Sequence, residues 1–225
     1  QAFLPTLPAG EPLLFVGLGS NLLVRDGGFD GTVILTHHAL TGIAADESVL
    51  PKRGVVAGAG VPTPHVARFV ARHGGAGAEW MAGVPGTIGG ALAMNAGCYG
   101  GETWHHVVSV RTIDRAGTLR VRTAADFEIG YRHVRARAAG EEWFVAGTFA
   151  FEPGDEAVAN AAMKALLVKR VAAQPLDRPN AGSVFRNPPG DHAARLIEAS
   201  GLKGHAIGGA QVSTKHANFI VNLGG

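Results

Sequence analysis

Residues 83–97 read Gly-Val-Pro-Gly-Thr-Ile-Gly-Gly-Ala-Leu-Ala-Met-Asn-Ala-Gly, a run rich in glycine and free of charge. It is too apolar for a solvated linker. Glycine has no Cβ to hold a ligand away from the backbone and accepts positive φ, so such a run can wrap a phosphate or lie along a ring. A second segment, Gly17-Leu18-Gly19-Ser20-Asn21-Leu22-Leu23-Val24, follows the apolar run Leu13 to Val16 and has the same character. Two such loops fit one extended dinucleotide. Each also has a plainer reading: a tight strand–loop–strand turn for residues 17–24 and a buried apolar hairpin for 83–97. The first begins like a dinucleotide fingerprint but lacks the third glycine, and no acidic residue follows at the required distance.

The bulk properties narrow the class. Of the 225 residues, 46% are hydrophobic and 17% charged, which is enough apolar surface for one large or two to three small domains. The formal charge of +2, with no basic run, argues against a nucleic-acid partner. From Lys164 onward, however, basic residues outnumber acidic ones eight to three, which favours an anionic small molecule there. The single cysteine, Cys98, excludes an internal disulfide framework and a multi-cysteine metal site and fits a reducing compartment. His37-His38 and His105-His106 read as adjacent strand residues without the i,i+4 spacing of a helical metal site, so no metal is expected. No signal peptide or membrane-length apolar run appears, so the expected location is the cytoplasm, with no membrane partner. The chain lacks a start methionine and stops just past a strand-like run, so both ends read as clipped.

Short β-rich runs are expected at Leu13 to Val16, Val33 to Leu35, Val55 to Ala59, Val107 to Asp114, Leu119 to Thr123, Trp143 to Phe151 and Phe219 to Val221. One helix is expected after a Thr63 cap with Pro64 in its first turn and Gly74-Gly75 at its end. Another spans about Asp155 to Gln174. A third starts at Asp191 and buries Ala193, Leu196 and Ile197. This irregular alternation reads as α+β rather than a doubly wound sheet. The expected domains are 1–48, 49–153 and 154–225, with the main boundary at Pro153-Gly154.

Two polar clusters stand out further along the chain. Gly130-Tyr131-Arg132 opens a cationic stretch whose plainer reading is a solvated loop. In Asn180-Ala181-Gly182-Ser183-Val184-Phe185-Arg186-Asn187, Ser183 lacks a nucleophile elbow, and spacing alone reads it as bonding its local backbone.

Taken together, Gly17 to Val24, Gly83 to Gly101, Gly130 to Arg132, Ala181 to Pro188 and Leu196 to Asn222 resemble the flavin-dependent UDP-N-acetylenolpyruvoylglucosamine reductases of bacterial cell-wall synthesis. The blocks stand in family order and span most of the chain. The resemblance implies an α+β fold of the vanillyl-alcohol-oxidase type, in which two subdomains hold non-covalent FAD and a C-terminal α+β domain binds substrate. It implies NADPH as hydride donor and reduction of the enolpyruvyl group of UDP-N-acetylglucosamine enolpyruvate to UDP-N-acetylmuramate, a step of peptidoglycan synthesis.

On that basis Gly17, Leu18, Gly19, Ser20, Asn21, Leu22, Gly83, Val84, Pro85, Gly86, Thr87, Gly89, Gly90, Ala91, Asn95 and Gly97 are expected at the cofactor, with the loops supplying backbone donors. Arg132 matches the family arginine that stabilises charge on the reacting carbon and its carboxylate, and Ser183 the proton-donating serine. Tyr131, Asn187, Arg178, Arg186, Lys215 and His216 are expected at the substrate, the basic ones near its diphosphate. The family's third catalytic residue, a glutamate, belongs beyond Asn222. The chain is therefore expected to continue, or else to lack full activity. No tyrosine-bearing loop fits between Phe151 and Asn180, which resembles a shorter subtype with a more open substrate pocket. The alternatives are an FAD-dependent oxidase of the same fold and a non-catalytic flavin or nucleotide-sugar binding module.

Overall fold

A computed structural model of the chain describes residues 1–224, which form two compact units, Gln1–Leu166 and the described residues from Leu167 onward. The first unit opens with β1 (Leu13–Val16) and β2 (Thr32–Leu35), which pair in parallel from Leu13↔Thr32 to Val16↔Leu35. Parallel neighbours need a crossover. Residues 17–31 are therefore a long crossing loop, and the tight-turn reading of the first glycine segment is lost.

The larger sheet follows β3 (Ile43–Asp46), β4 (Arg53–Gly58), α1 (Thr63–Arg72), β5 (Gly75–Ala76), α2 (Ile88–Met94), β6 (Gly97–Cys98), β7 (Gly101–Glu102), β8 (Val107–Asp114), β9 (Leu119–Arg122), β10 (Phe127–Gly130), β11 (His133–Ala136) and β12 (Glu142–Pro153). Its strand order is β3-β4-β12-β8-β9, with β5 on the end of β12. All of these pairings are antiparallel. Alternate residues of the long β12, among them Phe149 and Phe151, enter the core with Val55 and Ala57 of β4 and Val110 of β8. Helix α1 covers this layer with Val66, Ala67, Val70 and Ala71. Phe69 of the same helix is only partly buried and stacks on His73 at 3.9 Å.

Several sequence expectations are corrected. Thr63 does not cap α1. Pro62 holds the cap position, and the buried Thr63 hydroxyl instead donates to the Val84 carbonyl at 2.6 Å, satisfying an acceptor that would otherwise be orphaned in the core. The segment 83–97 is not a hairpin, because it contains α2. Adjacent glycines are poor helix formers, but tertiary contacts override the propensity. The Ile88 and Gly89 amides donate to the Val61 and Ala59 carbonyls at 2.9 and 2.8 Å, and a Cβ on Gly89 would press on Ala59. His37 and His38 lie in a turn with rings 4.5 Å apart, and His106 stacks on Phe151 just before β8. Neither pair lies on a strand. Burial lowers the His106 pKa.

The α3 helix (Glu156–Ala173) carries the chain from the first unit into the second. The Val158 amide donates to the Asp155 carboxylate at its start. The second unit holds β13 (Asn180–Ser183), α4 (Ala193–Ala199), β14 (Ala206–Ile207), β15 (Ala210–Val212) and β16 (Phe219–Asn222), in sheet order β13-β16-β15-β14. Helix α4 starts two residues after the expected Asp191, whose carboxylate instead pairs with Arg195 one turn on. It buries Ala193 but leaves Leu196 exposed and Ile197 only partly covered.

One ion cluster gives the first unit a pH-dependent element. Glu142, at the start of β12, accepts from the Arg122 guanidinium and from the Thr112 hydroxyl at 2.7 Å, and Arg120 lies 3.7 Å away. Arg122 above all, with help from Thr112, holds the Glu142 carboxyl below its ordinary pKa. A depressed folded-state pKa contributes stability that is present above the unfolded pKa and is lost as pH falls through the folded one. Glu142→Gln is therefore expected to cost about 1–2 kcal/mol at pH 7. Urea melts of parent and variant should draw together as pH falls below the ordinary carboxylate range and through the lowered Glu142 pKa, and a gap that does not narrow over that fall would assign the loss to packing.

Candidate cofactor and substrate sites

The two glycine loops meet. Val16 at the end of β1 leads into Gly17, where a Cβ would collide with the Thr87 side chain, so close approach to Thr87 requires glycine. Three residues on, the Ser20 hydroxyl donates to the Pro85 carbonyl. Gly86 sits against the same serine. Gly19 has φ 70°, a conformation glycine accepts freely, and its carbonyl accepts the Leu22 amide at 3.2 Å to close the turn. Among the described residues, the amides of Leu18 to Asn21 donate no hydrogen bond to the rest of the chain. These four consecutive donors stand on an exposed loop. Leu18, Leu22, Leu23 and Val24 are exposed on the same loop, Leu23 by 84%. Unspent amides beside bare apolar side chains suit a ligand that is anionic in one part and flat and apolar in another.

The second loop divides by role. Gly83, Val84 and Ala91 lie in the core, and a Cβ on Gly83 would press on Tyr99 and Cys98. The Gly89 amide is already spent on Ala59 and is no donor for a ligand. Pro85 and Gly90 are exposed and Gly86 partly so, whereas Thr87 is buried against Gly17. Gly90 is the most telling. It lies within α2, its φ is not positive, and a Cβ there would meet nothing within 4 Å. Neither the helix nor its packing needs glycine at this position, so the open surface above it is the feature that glycine preserves. This fits a planar group laid on α2 and passes the test that an FAD-sized ligand sets for these residues.

Gly90→Ala separates the two demands by sign. Alanine in an unstrained helix position is expected to raise the stability of the apoprotein by about 0.5–1 kcal/mol. If the surface carries FAD, the same methyl weakens flavin binding about tenfold, as read by fluorescence titration of the apoprotein. A variant that is stabler and binds flavin as tightly as the parent would remove Gly90 from the cofactor surface.

Asn95 caps α2 with φ 42° in the left-handed region, which asparagine tolerates. Its side chain is buried and engaged. Oδ1 accepts the Trp104 amide at 3.1 Å, while Nδ2 donates to Glu102 Oε2 at 3.0 Å and to the Gly130 carbonyl at 3.4 Å. Asn95 thus joins the end of α2 to the β10–β11 hairpin that carries Tyr131 and Arg132. Gly97 begins the β6–β7 hairpin, whose turn residues Tyr99 and Gly100 both have positive φ, as a two-residue hairpin of this hand requires. At the tip of β10–β11, Arg132 has φ 53° in a chain whose only other described non-glycine residues with positive φ are Asn95 and Tyr99. Its guanidinium carbon lies 5.8 Å from the centre of the exposed Tyr131 ring.

In the second unit, Ser183 ends β13, exposed and paired with Phe219 across an irregular register that Gly182 accommodates with φ 66°. Asn180 stabilises this bulge by accepting the Gly182 amide at 2.9 Å and donating to the Pro175 and Arg178 carbonyls. His192 holds the cap position of α4, and Asn187 supports the helix start from the preceding loop, its Oδ1 accepting the first α4 amide, that of Ala193, at 3.0 Å. Lys215 places its ammonium 2.6 Å from the Val171 carbonyl in the last turn of α3, where a cation is favoured. Burial lowers the His216 pKa, and its ring packs edge-on to Phe219 at 4.8 Å, so it is a weak anion partner near neutral pH. Arg178 and Arg186 are exposed. Arg132 and Ser183 thus stand in different units, each on a locally fixed backbone.

Sequence reading missed Asn180 and Asn218 as supports for Ser183. The Asn-x-Gly spacing of Asn180 is a recognisable side-chain turn signal. Asn218, a polar residue between Ala217 and the buried strand start Phe219, carries only the weaker signal of a polar group in an apolar setting. Among the described residues no group of side chains suits a metal ion, and no helix is long and apolar enough to cross a membrane.

Comparison with known proteins agrees with the two-part architecture. Residues 8–122 match the FAD binding domain family, and residues 174–225 match the C-terminal domain family of UDP-N-acetylenolpyruvoylglucosamine reductase. The reductase of that name from Thiobacillus denitrificans is 56% identical over 97% of this chain and 70% of its own length, and that of Alkalilimnicola ehrlichii is 57% identical over 100% and 73%. The crystal structure of the enzyme (MurB) from Thermus caldophilus superposes with a TM-score of 0.79 at 32% identity, covering 96% of this chain and 77% of that one. By sequence, by fold and by the order of its two domains, the chain belongs to the UDP-N-acetylenolpyruvoylglucosamine reductase family.

Proposed function

We propose that this protein reduces the enolpyruvyl ether of UDP-N-acetylglucosamine with NADPH, through FAD held on the first unit, as a step of peptidoglycan precursor synthesis in the cytoplasm. The observation that carries this reading beyond family membership is the junction of Ser20 with Pro85, which joins the loop bearing the unspent Leu18 to Asn21 amides to the segment that enters α2, the helix on which Gly90 leaves an open surface. The Gly17 to Leu22 loop and the Pro85 to Gly90 segment would hold FAD, which would supply the redox chemistry that links NADPH to the enol ether. The chain's own residues meet what hydride addition to that ether creates.

Hydride arriving at the terminal carbon leaves an electron pair on the adjoining carbon and its carboxylate. A fixed guanidinium is the group that favours such charge without taking part in proton transfer. Arg132 holds that role from a two-residue turn tied to α2 through Asn95. The proton that completes the saturated ether goes to the carbon bearing the carboxylate, and Ser183 Oγ delivers it. A serine hydroxyl is a weak acid in water, so it works only when aimed at a very basic carbon. The bulge at Gly182 and the Asn180 turn hold it in one direction. Arg178 and Arg186 are the exposed cations suited to the substrate's diphosphate.

Anaerobic stopped-flow absorbance tests the reading. NADPH should bleach the flavin band, and UDP-N-acetylglucosamine enolpyruvate should restore it without oxygen. Bleaching that only oxygen reverses would make the protein an oxidase. Flavin bound but untouched by NADPH would make it a binding module.

A further inference from the structure

The backbone that follows Ser183 is held in an unusual way. Val184 and Phe185 are exposed, so no burial of their side chains fixes them. Instead, one buried residue does. The Val184 amide donates to the Asn218 carbonyl at 3.0 Å, the Phe185 amide donates to Asn218 Oδ1 at 2.9 Å, and Asn218 Nδ2 donates to the Phe185 carbonyl at 2.9 Å. A carboxamide that accepts from and donates to the same residue's backbone imitates a neighbouring strand. The Asn218 clamp therefore extends the Ser183↔Phe219 pairing by two residues, past the point where β13 ends. Asn218 is 5% exposed, and among the described residues its side chain makes no hydrogen bond besides these two.

We propose that Asn218 is a positioning residue for proton delivery by Ser183, fixing the serine from its C-terminal side as the Asn180 turn does from the other. This rests on the role given to Ser183 above. Asparagine is the residue that satisfies both contacts. Aspartate keeps the acceptor but loses the donor and sets a carboxylate against the Phe185 carbonyl, while alanine loses both and strands two backbone groups.

Two readouts test the proposal in the flavin-loaded protein. Hydrogen exchange should show the Phe185 amide protected in the parent and fast in Asn218→Ala; a Phe185 amide already unprotected in the parent would overturn the clamp whatever the enzyme does. In stopped flow, Asn218→Ala should slow flavin recovery with UDP-N-acetylglucosamine enolpyruvate about 10- to 100-fold, with bleaching by NADPH retained as the check that the protein is folded. Asn218→Asp, which keeps one contact, should fall between. The decisive comparison is made in the Ser183→Ala background, where removing Asn218 should cost almost nothing further. An equal additional loss there, or recovery of Asn218→Ala at the parent rate, would refute the positioning role. A parent enzyme that never recovers with substrate would instead overturn the role of Ser183, and with it the inference that depends on it.

Discussion

Ser183→Ala is expected to leave NADPH-driven bleaching of the flavin within about twofold of the parent and to slow its recovery with substrate by about 10²–10⁴-fold. The asymmetry is the test. A proton donor acts only after hydride has reached the enol ether, so its loss touches one half-reaction, whereas a residue that shaped the flavin or the nicotinamide site would touch both. The fold should not confuse the outcome. Ser183 is exposed, its backbone pairs with Phe219 and its following residues are held by Asn218, so removal of one hydroxyl is expected to change stability by no more than about 0.5 kcal/mol. Comparable losses in both half-reactions would withdraw the assignment and return Ser183 to the plainer role of supporting its loop. A solvent isotope effect on recovery, present in the parent and altered in the variant, would tie the slowed step to a proton in flight.

Regular β-structure was largely legible because its signal is local. Val107–Asp114 is rich in β-branched residues and is strand β8 as expected, and the ends of β1 coincide with its apolar run. What was not legible depended on partners distant in sequence. Gly89 and Gly90 argue against a helix taken alone, yet α2 forms because Ala59 and Val61, nearly thirty residues earlier, accept its first amides. Thr63 looks like a cap until the Val84 carbonyl, twenty-one residues on, claims its hydroxyl. The same logic sorts the candidate site. Glycines were readable as a set, but their separate reasons were not. Gly17 is small for Thr87, Gly89 for Ala59 and Gly83 for Tyr99 and Cys98, while Gly90 is small for nothing in the protein. Only that remainder points to a ligand. Charge was the least reliable guide. Lys215 and His216, basic by composition, are taken up by the end of α3 and by burial against Phe219.

Arg132→Gly is expected to uncouple stability from catalysis. A non-glycine residue held at φ 53° costs about 1–3 kcal/mol. Glycine removes that strain but adds freedom to the unfolded chain worth about 0.4–1 kcal/mol and forfeits the contact with the Tyr131 ring, worth about 0.5–1 kcal/mol. The variant should therefore melt close to the parent temperature. Loss of the guanidinium should nevertheless slow substrate-driven flavin recovery about 10²–10³-fold, the scale for removing one group that meets developing negative charge. A turn residue chosen for folding alone would be glycine or asparagine here, so an arginine kept against its backbone preference is most simply one whose head group is needed where the hairpin points. Arg132→Lys sharpens the point, because it retains both the strain and the charge but not the planar fork. It should recover a minority of the lost rate, with KM for the substrate raised. If glycine destabilises the protein by several kcal/mol, Arg132 is a structural residue of the hairpin, and the charge facing the enolpyruvyl carboxylate has to be sought elsewhere in the chain.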